Sequence, residues 1–367
     1  MRSRRGDKMK VAIMGAGLSG LSCALTLEQH GLDVTIFESR SQTGDRFVNG
    51  EILLSILQRP VSDCIVYLAE KHNVFLHPTS NISKLMLYSE KEETAISGFL
   101  GFTNIRGRHE DSFEKQLGRQ VKSKIIYNSD YTYKQLMKEF THVVMATGDA
   151  AYVMKLDNYR KDLSVTLKGA TVEGHFTPST VIAWLNNEFA PKGYAYLIPF
   201  SDKEANIVIA YPDYPENKAK DIDRLWEKFY QEACSKLNQE MRITDGFEVT
   251  EYIIGVCQQP RLGNTLFTGN CFGSIMPFLG FGQWVALLTG IYAAQDLSGM
   301  GRYEELTKPL RQGYENSLVL RRGMEKADNT RFDLMIRALG GRLGEKLFNS
   351  GHHDPLKLVS YLLRPFV

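Results

Sequence analysis

The chain has 367 residues, and its 44 Lys and Arg against 42 Asp and Glu give a formal net charge of +2. Because a domain holds roughly 150 residues, this length predicts about two domains, or one domain with a large insertion. There is no basic surplus that would indicate nucleic-acid binding and no acidic surplus that would indicate disorder. The 43% hydrophobic content is typical of a globular protein and excludes collagen, coiled coils and disulfide miniproteins.

The cysteines and the apolar runs predict a soluble protein of the reducing cytoplasm. The five cysteines are odd in number and widely separated, so we expect free thiols and no metal site. No apolar run approaches the ~20 residues that a membrane span needs. Five of the first ten residues are basic, which indicates either a flexible leader or a contact with anionic lipid. We interpret His109, His175, His352 and His353 as non-catalytic.

The first structural signal is a strand, helix and strand near the N-terminus. Val11–Met14 is a continuous apolar run, as in a central parallel strand. A helix is predicted over 18–30, and Gly31 follows it where a capping glycine belongs. Val34–Phe37 is the next predicted strand, and Glu38 stands at its end.

A glycine pattern, Gly-Ala-Gly-Leu-Ser-Gly at 15–20, joins the first strand to the helix. In this pattern Gly15 permits a tight turn, Gly17 lets backbone approach a pyrophosphate, and Gly20 lets the helix pack on the strand. The helix N-terminus attracts the phosphates, and Glu38 accepts ribose hydroxyls and disfavours a 2′-phosphate. The site is therefore predicted to bind FAD or NAD rather than NADP. Its predicted cofactor contacts are Gly15, Gly17, Leu18, Ser19, Gly20, Glu38, Ser39 and Arg40.

Two later segments resemble flavin-binding motifs of the para-hydroxybenzoate hydroxylase-like superfamily. Residues 141–148 are similar to a strand that ends in an Ala-Thr-Gly turn beside FAD. Residues 264–284 are similar to the segment whose Gly-Asp turn holds the ribityl chain and whose glycine loop and helix N-terminus face the isoalloxazine. Asn270 replaces the family's Asp and can still form a hydrogen bond to a ribityl hydroxyl. The resemblance implies FAD contacts at Gly148, Gly269, Asn270, Pro277, Gly280, Phe281 and Gly282.

Within this superfamily the chain resembles the geranylgeranyl reductase group. Residues 44–51 are similar to its Gly-x-x-x-x-Cys-Gly-Glu motif, and residues 191–199 to its Gly-Tyr-x-Trp-x-Phe-Pro motif. Here Asn49, Tyr196 and Ile198 replace the family's Cys, Trp and Phe. The second segment is also similar to the Trp-x-Trp-x-Ile-Pro motif of flavin halogenases.

This resemblance implies roles for a few polar and aromatic residues. Arg46 and Asn49 are candidates beside the isoalloxazine, although no catalytic residue is assigned. Tyr194 and Tyr196 either pack within a sheet or line the substrate pocket. Residues 321–322, two adjacent arginines, are interpreted as part of a solvated helix face.

The fold class implied is α/β. We expect a Rossmann-like FAD-binding domain of the two-dinucleotide-binding type, with an inserted antiparallel substrate sheet and a helical C-terminal tail. The FAD domain is assigned to residues 1–80, 100–165 and 255–300, the sheet to 81–99 and 166–254, and the tail to 301–367. The amphipathic pattern of the tail indicates helices that cover the pocket or contact a membrane surface.

The function implied is FAD-dependent reduction of a C=C bond in an apolar, isoprenoid-like substrate. Because no second GxGxxG follows, the predicted electron donor is transiently bound NAD(P)H or a carrier such as ferredoxin. The alternatives are a monooxygenase or halogenase that uses NAD(P)H and O2, and a flavin-binding protein without catalysis. We expect an apolar or lipid substrate, an electron-transfer partner, no nucleic acid and a cytoplasmic location, with peripheral membrane contact left open.

Overall fold

The computed structural model describes residues 9–349 and 354–367. The predicted leader, apart from its last two residues, and the predicted non-catalytic His352 and His353 lie outside the described residues. The described residues form two β-sheets and the helices packed on them.

The smaller sheet is the Rossmann-like part of the fold. Its strands are short and apolar, and helices cover them, which is typical of parallel strands. All of its pairs are parallel except the pair at the β13 edge. In spatial order its strands are Arg261–Leu262 (β13), Thr265–Phe267 (β14), His142–Met145 (β7), Val11–Met14 (β1), Val34–Phe37 (β2) and Lys124–Ile126 (β6).

The larger sheet has eight strands and is antiparallel except for the β4–β9 pair. In spatial order its strands are Arg242–Cys257 (β12), Tyr159–Glu173 (β8), Glu204–Pro212 (β11), Tyr194–Pro199 (β10), Thr180–Trp184 (β9), Ser80–Tyr88 (β4), Glu93–Arg106 (β5) and Asn49–Leu54 (β3). This membership differs from the ranges assigned to the substrate sheet, because β3 pairs with β5 and because β8 begins before residue 166. The domain boundaries themselves stay a prediction.

The helices cover both sheets and form the C-terminal tail. They are Leu18–Gln29 (α1), Cys64–His72 (α2), Phe113–Gln120 (α3), Tyr133–Glu139 (α4), Ala151–Lys155 (α5), Pro215–Lys218 (α6), Ile222–Leu237 (α7), Gln283–Leu297 (α8), Tyr303–Met324 (α9), Asn329–Ala338 (α10), Arg342–Asn349 (α11) and Pro355–Leu363 (α12). Short 3₁₀ turns occupy Ser55–Leu57, Gly269–Cys271 and Arg364–Phe366. Within the described ranges, no helix has both the length and the hydrophobicity to cross a bilayer.

Helices α1 and α8 pack closely beside the smaller sheet. A Cβ atom at Gly290 of α8 would lie 2.1 Å from the Ser19 carbonyl oxygen, so only glycine allows this approach. The Ser22 hydroxyl donates to the Leu287 carbonyl across the same contact at 3.0 Å. This contact fixes the N-terminus of α1 relative to the segment that leads into α8.

Alternation along β10 separates the two faces of the larger sheet. Ala195 and Leu197 pack in the apolar cluster that includes α7. Tyr194, Tyr196 and Ile198 belong to the opposite cluster, which also contains residues of the C-terminal tail. The second face therefore lies between the sheet and the tail.

Candidate functional site

The β1–α1 turn has the geometry of a phosphate-binding loop. Gly15 has a φ of +116°, and a Cβ there would lie 2.2 Å from the Ala146 carbonyl oxygen. A Cβ at Gly20 would lie 2.0 Å from the Gly15 oxygen, whereas a Cβ at Gly17 meets no atom within 4 Å. Gly17 is the N-cap of α1 and forms no side-chain cap, so the first N–H groups of the helix are available to an anion.

Glu38 lies at the end of β2 beside this turn. Its carboxylate accepts hydrogen bonds from the backbone N–H of Ala16 at 2.7 Å and of Arg40 at 2.9 Å. Ser39 Oγ lies 3.4 Å from the same carboxylate, and the Arg40 guanidinium donates to the Asp45 carbonyl. The predicted ribose acceptor is thus held next to the predicted phosphate site, and Leu18 and Ser19 form the buried first turn of α1.

Asn270 connects the later motifs to one another. Its Nδ2 donates to the Gly148 carbonyl and to Tyr252 Oη, each at 2.6 Å, and its Oδ1 accepts from Ser274 Oγ at 2.8 Å. Both N–H donors of the amide are therefore used inside the protein. A carboxylate could not donate to the Gly148 carbonyl, so asparagine has a structural role at this position.

The glycine loop before α8 closes the other end of the site. The Gly280 N–H donates to the Met276 carbonyl at 2.8 Å, and α8 begins after Gly282 without a side-chain cap. The N–H groups of its first turn and the positive end of its dipole are available to a partly negative ligand. Phe281 and Pro277 stand in the same loop, and both line the cavity described next.

A cavity of about 170 Å³ lies between this loop and the larger sheet. Phe47 and Phe247 stack at one side with ring centroids 4.3 Å apart, and the Tyr194 hydroxyl donates to the Leu279 carbonyl at another. The predicted residues Arg46 and Asn49 also face this cavity. Its apolar and aromatic wall includes Leu163, Val165, Leu167, Tyr194, Tyr196, Tyr211, Phe247, Val249, Tyr252, Ile254, Phe278 and Phe281.

A buried charge cluster lies on the cavity wall. The Arg106 guanidinium pairs with Glu51 at 3.0 Å and with Glu114 at 2.8 Å. Burial alone would lower the pKa of Arg106, but the two carboxylates raise it above its ordinary value. With both carboxylates ionised, the cluster carries one excess negative charge.

Several acceptor atoms around this cluster have no hydrogen-bond partner among the described residues. Glu51 Oε2, Asn49 Oδ1 and Gln283 Oε1 are buried and unpaired, and their side chains line the cavity. The other Glu51 oxygen accepts from Arg106, and Asn49 Nδ2 lies 3.5 Å from it. Buried acceptors of this kind normally have partners, so these three atoms are available to a ligand on this wall.

The tyrosines of the cavity remain neutral phenols. Burial raises the pKa of Tyr194, Tyr196 and Tyr252 above the usual value, and Glu51 adds to the shift in each case. Both predicted substrate contacts, Tyr194 and Tyr196, line the cavity and also belong to the apolar cluster of the sheet. Sheet packing and pocket lining therefore occur together at these positions.

Arg321 was predicted to be solvated, and this interpretation is wrong. The residue is 4% exposed, pairs with Glu325 at 3.1 Å and lines the cavity. It lies on the inward face of α9, and burial lowers the pKa of its guanidinium. The arginine pair gave no indication of which helix face would be covered.

Sequence reasoning assigned no role to Glu51, Arg106, Tyr252 or Phe247, although all four line the cavity. The sequence around two of these four residues contained a signal that could have identified them. Glu51 ends the Gly-Glu motif at 44–51, and Arg106 begins a segment that leads into α3. The other two lie on β12, which carries no motif.

The chain is similar in fold to several known proteins. Residues 9–175 match the family of pyridine nucleotide-disulphide oxidoreductases. A geranylgeranyl bacteriochlorophyll reductase-like protein from Thermoplasma acidophilum superposes with a TM-score of 0.74, at 14% identity over 96% of each chain. The flavin-dependent brominase Bmp2 superposes with a TM-score of 0.64, at 15% identity over 97% of each chain. The chain has the fold of FAD-dependent oxidoreductases.

The flavoprotein fold confirms the predicted fold class and the predicted resemblance to the geranylgeranyl reductase group. A shorter likeness is to zeta-carotene desaturase of Solanum lycopersicum, with 52% identity over 42 residues. That stretch covers 11% of this chain and 7% of the desaturase.

The residues present fit FAD. The space at Gly17, the uncapped start of α1 and the carboxylate of Glu38 suit the adenosine diphosphate half. The Oδ1 atom of Asn270, which can accept a second hydrogen bond, and the uncapped start of α8 lie toward the cavity and suit the flavin half. In the described part of the chain, no group of three or more His, Cys, Asp and Glu side chains is placed to hold a metal ion.

Proposed function

We propose that this flavoprotein reduces a C=C bond in an apolar, isoprenoid-like substrate. The observation that carries the proposal is the cavity, whose wall is mostly aromatic and aliphatic and which borders the glycine loop before α8. A chain-like hydrocarbon would bury its surface there, and each buried CH₂ contributes about 0.8 kcal/mol. The fold likeness to the geranylgeranyl bacteriochlorophyll reductase-like protein supports the same class of substrate.

Reduced FAD, when bound, supplies the hydride and thus both electrons. The protein's own residues bind and orient the reactants. The N-terminus of α1 and Gly17 would hold the pyrophosphate, and the N-terminus of α8 would stabilise negative charge on the flavin ring. The wall around Tyr196 and Phe281 excludes water from the reacting carbons.

We assign the proton for the second carbon to Glu51. An alkene carbon is a weak base and needs a stronger acid than the cavity phenols, whose pKa values burial raises further. Glu51 is the carboxyl that lines the cavity, and its Oε2 is buried and unpaired in the described structure. An apolar substrate in the cavity would lie beside this oxygen. The carboxylate left after proton transfer pairs with Arg106.

The test is anaerobic reoxidation of the reduced holoprotein by candidate lipids. The flavin is reduced with dithionite or light, and polyprenyl alcohols, phosphates and glycerol ethers are added in turn. The expected result is recovery of the oxidised flavin spectrum together with a saturated product in mass spectrometry. Reoxidation by none of the lipids, in protein that binds FAD, would contradict the proposal. Repeating the reduction with NADH, NADPH and reduced ferredoxin identifies the electron donor.

A second candidate is a monooxygenase or halogenase. It is favoured by the fold likeness to a flavin-dependent brominase and by the Tyr-x-Tyr-x-Ile-Pro pattern at 194–199. Consumption of O2 coupled to a hydroxylated or brominated product would support this candidate. NAD(P)H oxidation that yields only hydrogen peroxide would count against it.

A third candidate is a flavin-binding protein without catalysis. The replacements at Asn49, Asn270 and Tyr196 favour it. The visible spectrum of the purified protein separates this candidate from the two enzymes, because a protein that never takes up FAD cannot catalyse either reaction.

The proposed setting is the cytoplasm, since all five cysteines are free thiols.

A further inference from the structure

Helix α12 exposes an apolar face on the outside of the molecule. Its inward side packs on the protein: Leu363 lies against Gly323 of α9, and Ser360 is fully buried. The outward side carries Leu358 and Leu362, which are 61% and 65% exposed. We define the α12 face as the exposed side chains of Leu358, Val359, Tyr361 and Leu362.

This face has cations at both ends. Lys357 precedes it and is exposed, and Arg364 follows it with its guanidinium 5.0 Å from the Tyr361 ring. Arg364 also donates to Asn316 of α9 at 2.9 Å, which holds the cation in place. From Asp354, the N-cap of α12, to residue 367 these two cations stand against Asp354 alone, a formal charge of +1.

The inward side of α12 packs near the cavity wall. Leu356 packs against the apolar cluster that contains Tyr194, Tyr196 and Phe281 of that wall. Helix α9, on which α12 lies, contributes Arg321 to the same wall. The α12 face is therefore separated from the cavity by packed apolar side chains.

We propose that the α12 face inserts into the headgroup region of an anionic lipid bilayer. An exposed apolar stripe with flanking cations and an interfacial tyrosine has the chemistry that binds such a surface. We favour a lipid surface because Lys357 and Arg364, at the two ends of the apolar face, complement anionic headgroups. The proposal goes beyond the proposed function, since vesicle binding requires neither reduction nor turnover.

The experiment is flotation of the full-length holoprotein with vesicles of phosphatidylcholine alone or mixed with phosphatidylglycerol. The wild type is expected to float with the mixed vesicles, less with pure phosphatidylcholine, and less as salt rises. The double variant Leu358→Glu/Leu362→Glu should lose about tenfold or more of this binding, because two leucines no longer enter the bilayer. Lys357→Glu should weaken binding to the mixed vesicles only.

The matched control is Phe75→Glu, which changes an exposed apolar residue outside the tail. It should float like the wild type. If the double glutamate variant unfolds at a lower temperature than the wild type, Leu358→Ser/Leu362→Ser serves in its place, with the same expected loss.

Three outcomes would overturn the proposal. One is wild-type protein that floats with neither vesicle, and another is a double variant that floats as well as the wild type. The third is a lipid-free dimer in sedimentation that the double variant dissociates, because the α12 face would then be a contact between two copies. Lipid reduction is measured separately, so failure of the proposed reaction leaves these results unaffected.

Discussion

Gly17 and Gly20 of the β1–α1 turn have different structural neighbours, so their substitution should separate folding from cofactor binding. A Cβ at Gly20 would collide with the Gly15 backbone, whereas a Cβ at Gly17 enters open space. We therefore expect Gly20→Ala to lower the free energy of unfolding by about 1–3 kcal/mol. Gly17→Ala should unfold like the wild type but bind FAD at least about tenfold more weakly, since the methyl occupies the pyrophosphate approach.

Thermal unfolding of the FAD-free variants and titration of FAD fluorescence check both expectations. The wild type is the reference for each measurement. FAD affinity of Gly17→Ala equal to that of the wild type would place the pyrophosphate elsewhere.

Glu51 and Glu114 both pair with the Arg106 guanidinium, but of the two only Glu51 lines the cavity. Glu51→Gln should slow C=C reduction by about 10²-fold or more, as expected for loss of a general acid. Glu114→Gln removes the second carboxylate on the same arginine and is the matched control, and it should keep a reduction rate close to that of the wild type. The groups that face Glu51 are Arg46, Arg106, Tyr194, Tyr196 and Tyr252.

Rates of C=C reduction are measured for all three proteins. A Glu51→Gln variant that reduces the lipid at the wild-type rate would assign the acid to another group. Wild-type protein that binds FAD but reduces no lipid would instead contradict the proposed reaction.

At the scale of elements, the sequence predicted those whose signals are local. Val11–Met14 and Val34–Phe37 match the observed strands, and the helix predicted over 18–30 ends one residue early, because apolar runs and glycines mark these elements directly. The pairing of β3 with β5 could not be predicted, since it depends on contacts between distant segments. Nor could the sequence predict which side of α9 is covered by the rest of the protein, and this decides whether Arg321 is buried.

Helix α2 ends in a buried histidine that should make stability depend on pH. His72 packs against Tyr67 and Tyr292, and burial lowers its pKa below the ordinary 6.5. The contribution of neutral His72 to the free energy of unfolding is therefore complete above pH 6.5. This contribution is lost as the pH falls from 6.5 through the lower pKa of the folded state, because the unfolded chain takes up the proton first. The loss is at most about 1.4 kcal/mol per pH unit.

The variant His72→Leu isolates this contribution, because all other titrating groups remain. Urea unfolding at several pH values should show the wild type losing stability relative to the variant between neutral pH and about pH 5. A difference between the two proteins that does not change with pH would mean that His72 keeps its ordinary pKa in the fold.

At the scale of the whole molecule, the proposed FAD site joins the two sheets. The adenosine end lies on β1, α1 and β2, whereas the cavity is walled by β3, β8, β10 and β12 of the larger sheet. A ligand that contacts both parts should stabilise both, by about 2.7 kcal/mol at a concentration 100 times its Kd. This linkage holds whatever substrate the cavity takes.

The three tryptophans allow the two sheets to be followed separately. Trp184 and Trp226 lie in the cluster between the larger sheet and α7, and Trp284 lies in α8. In Trp284→Phe, fluorescence therefore reports on the larger sheet, while circular dichroism reports on the whole chain. We expect saturating FAD to raise both unfolding midpoints equally. If FAD raised the midpoint by circular dichroism but left the fluorescence midpoint unchanged, the cofactor would contact only the smaller sheet. The flavin end of the cofactor would then lie outside the cavity.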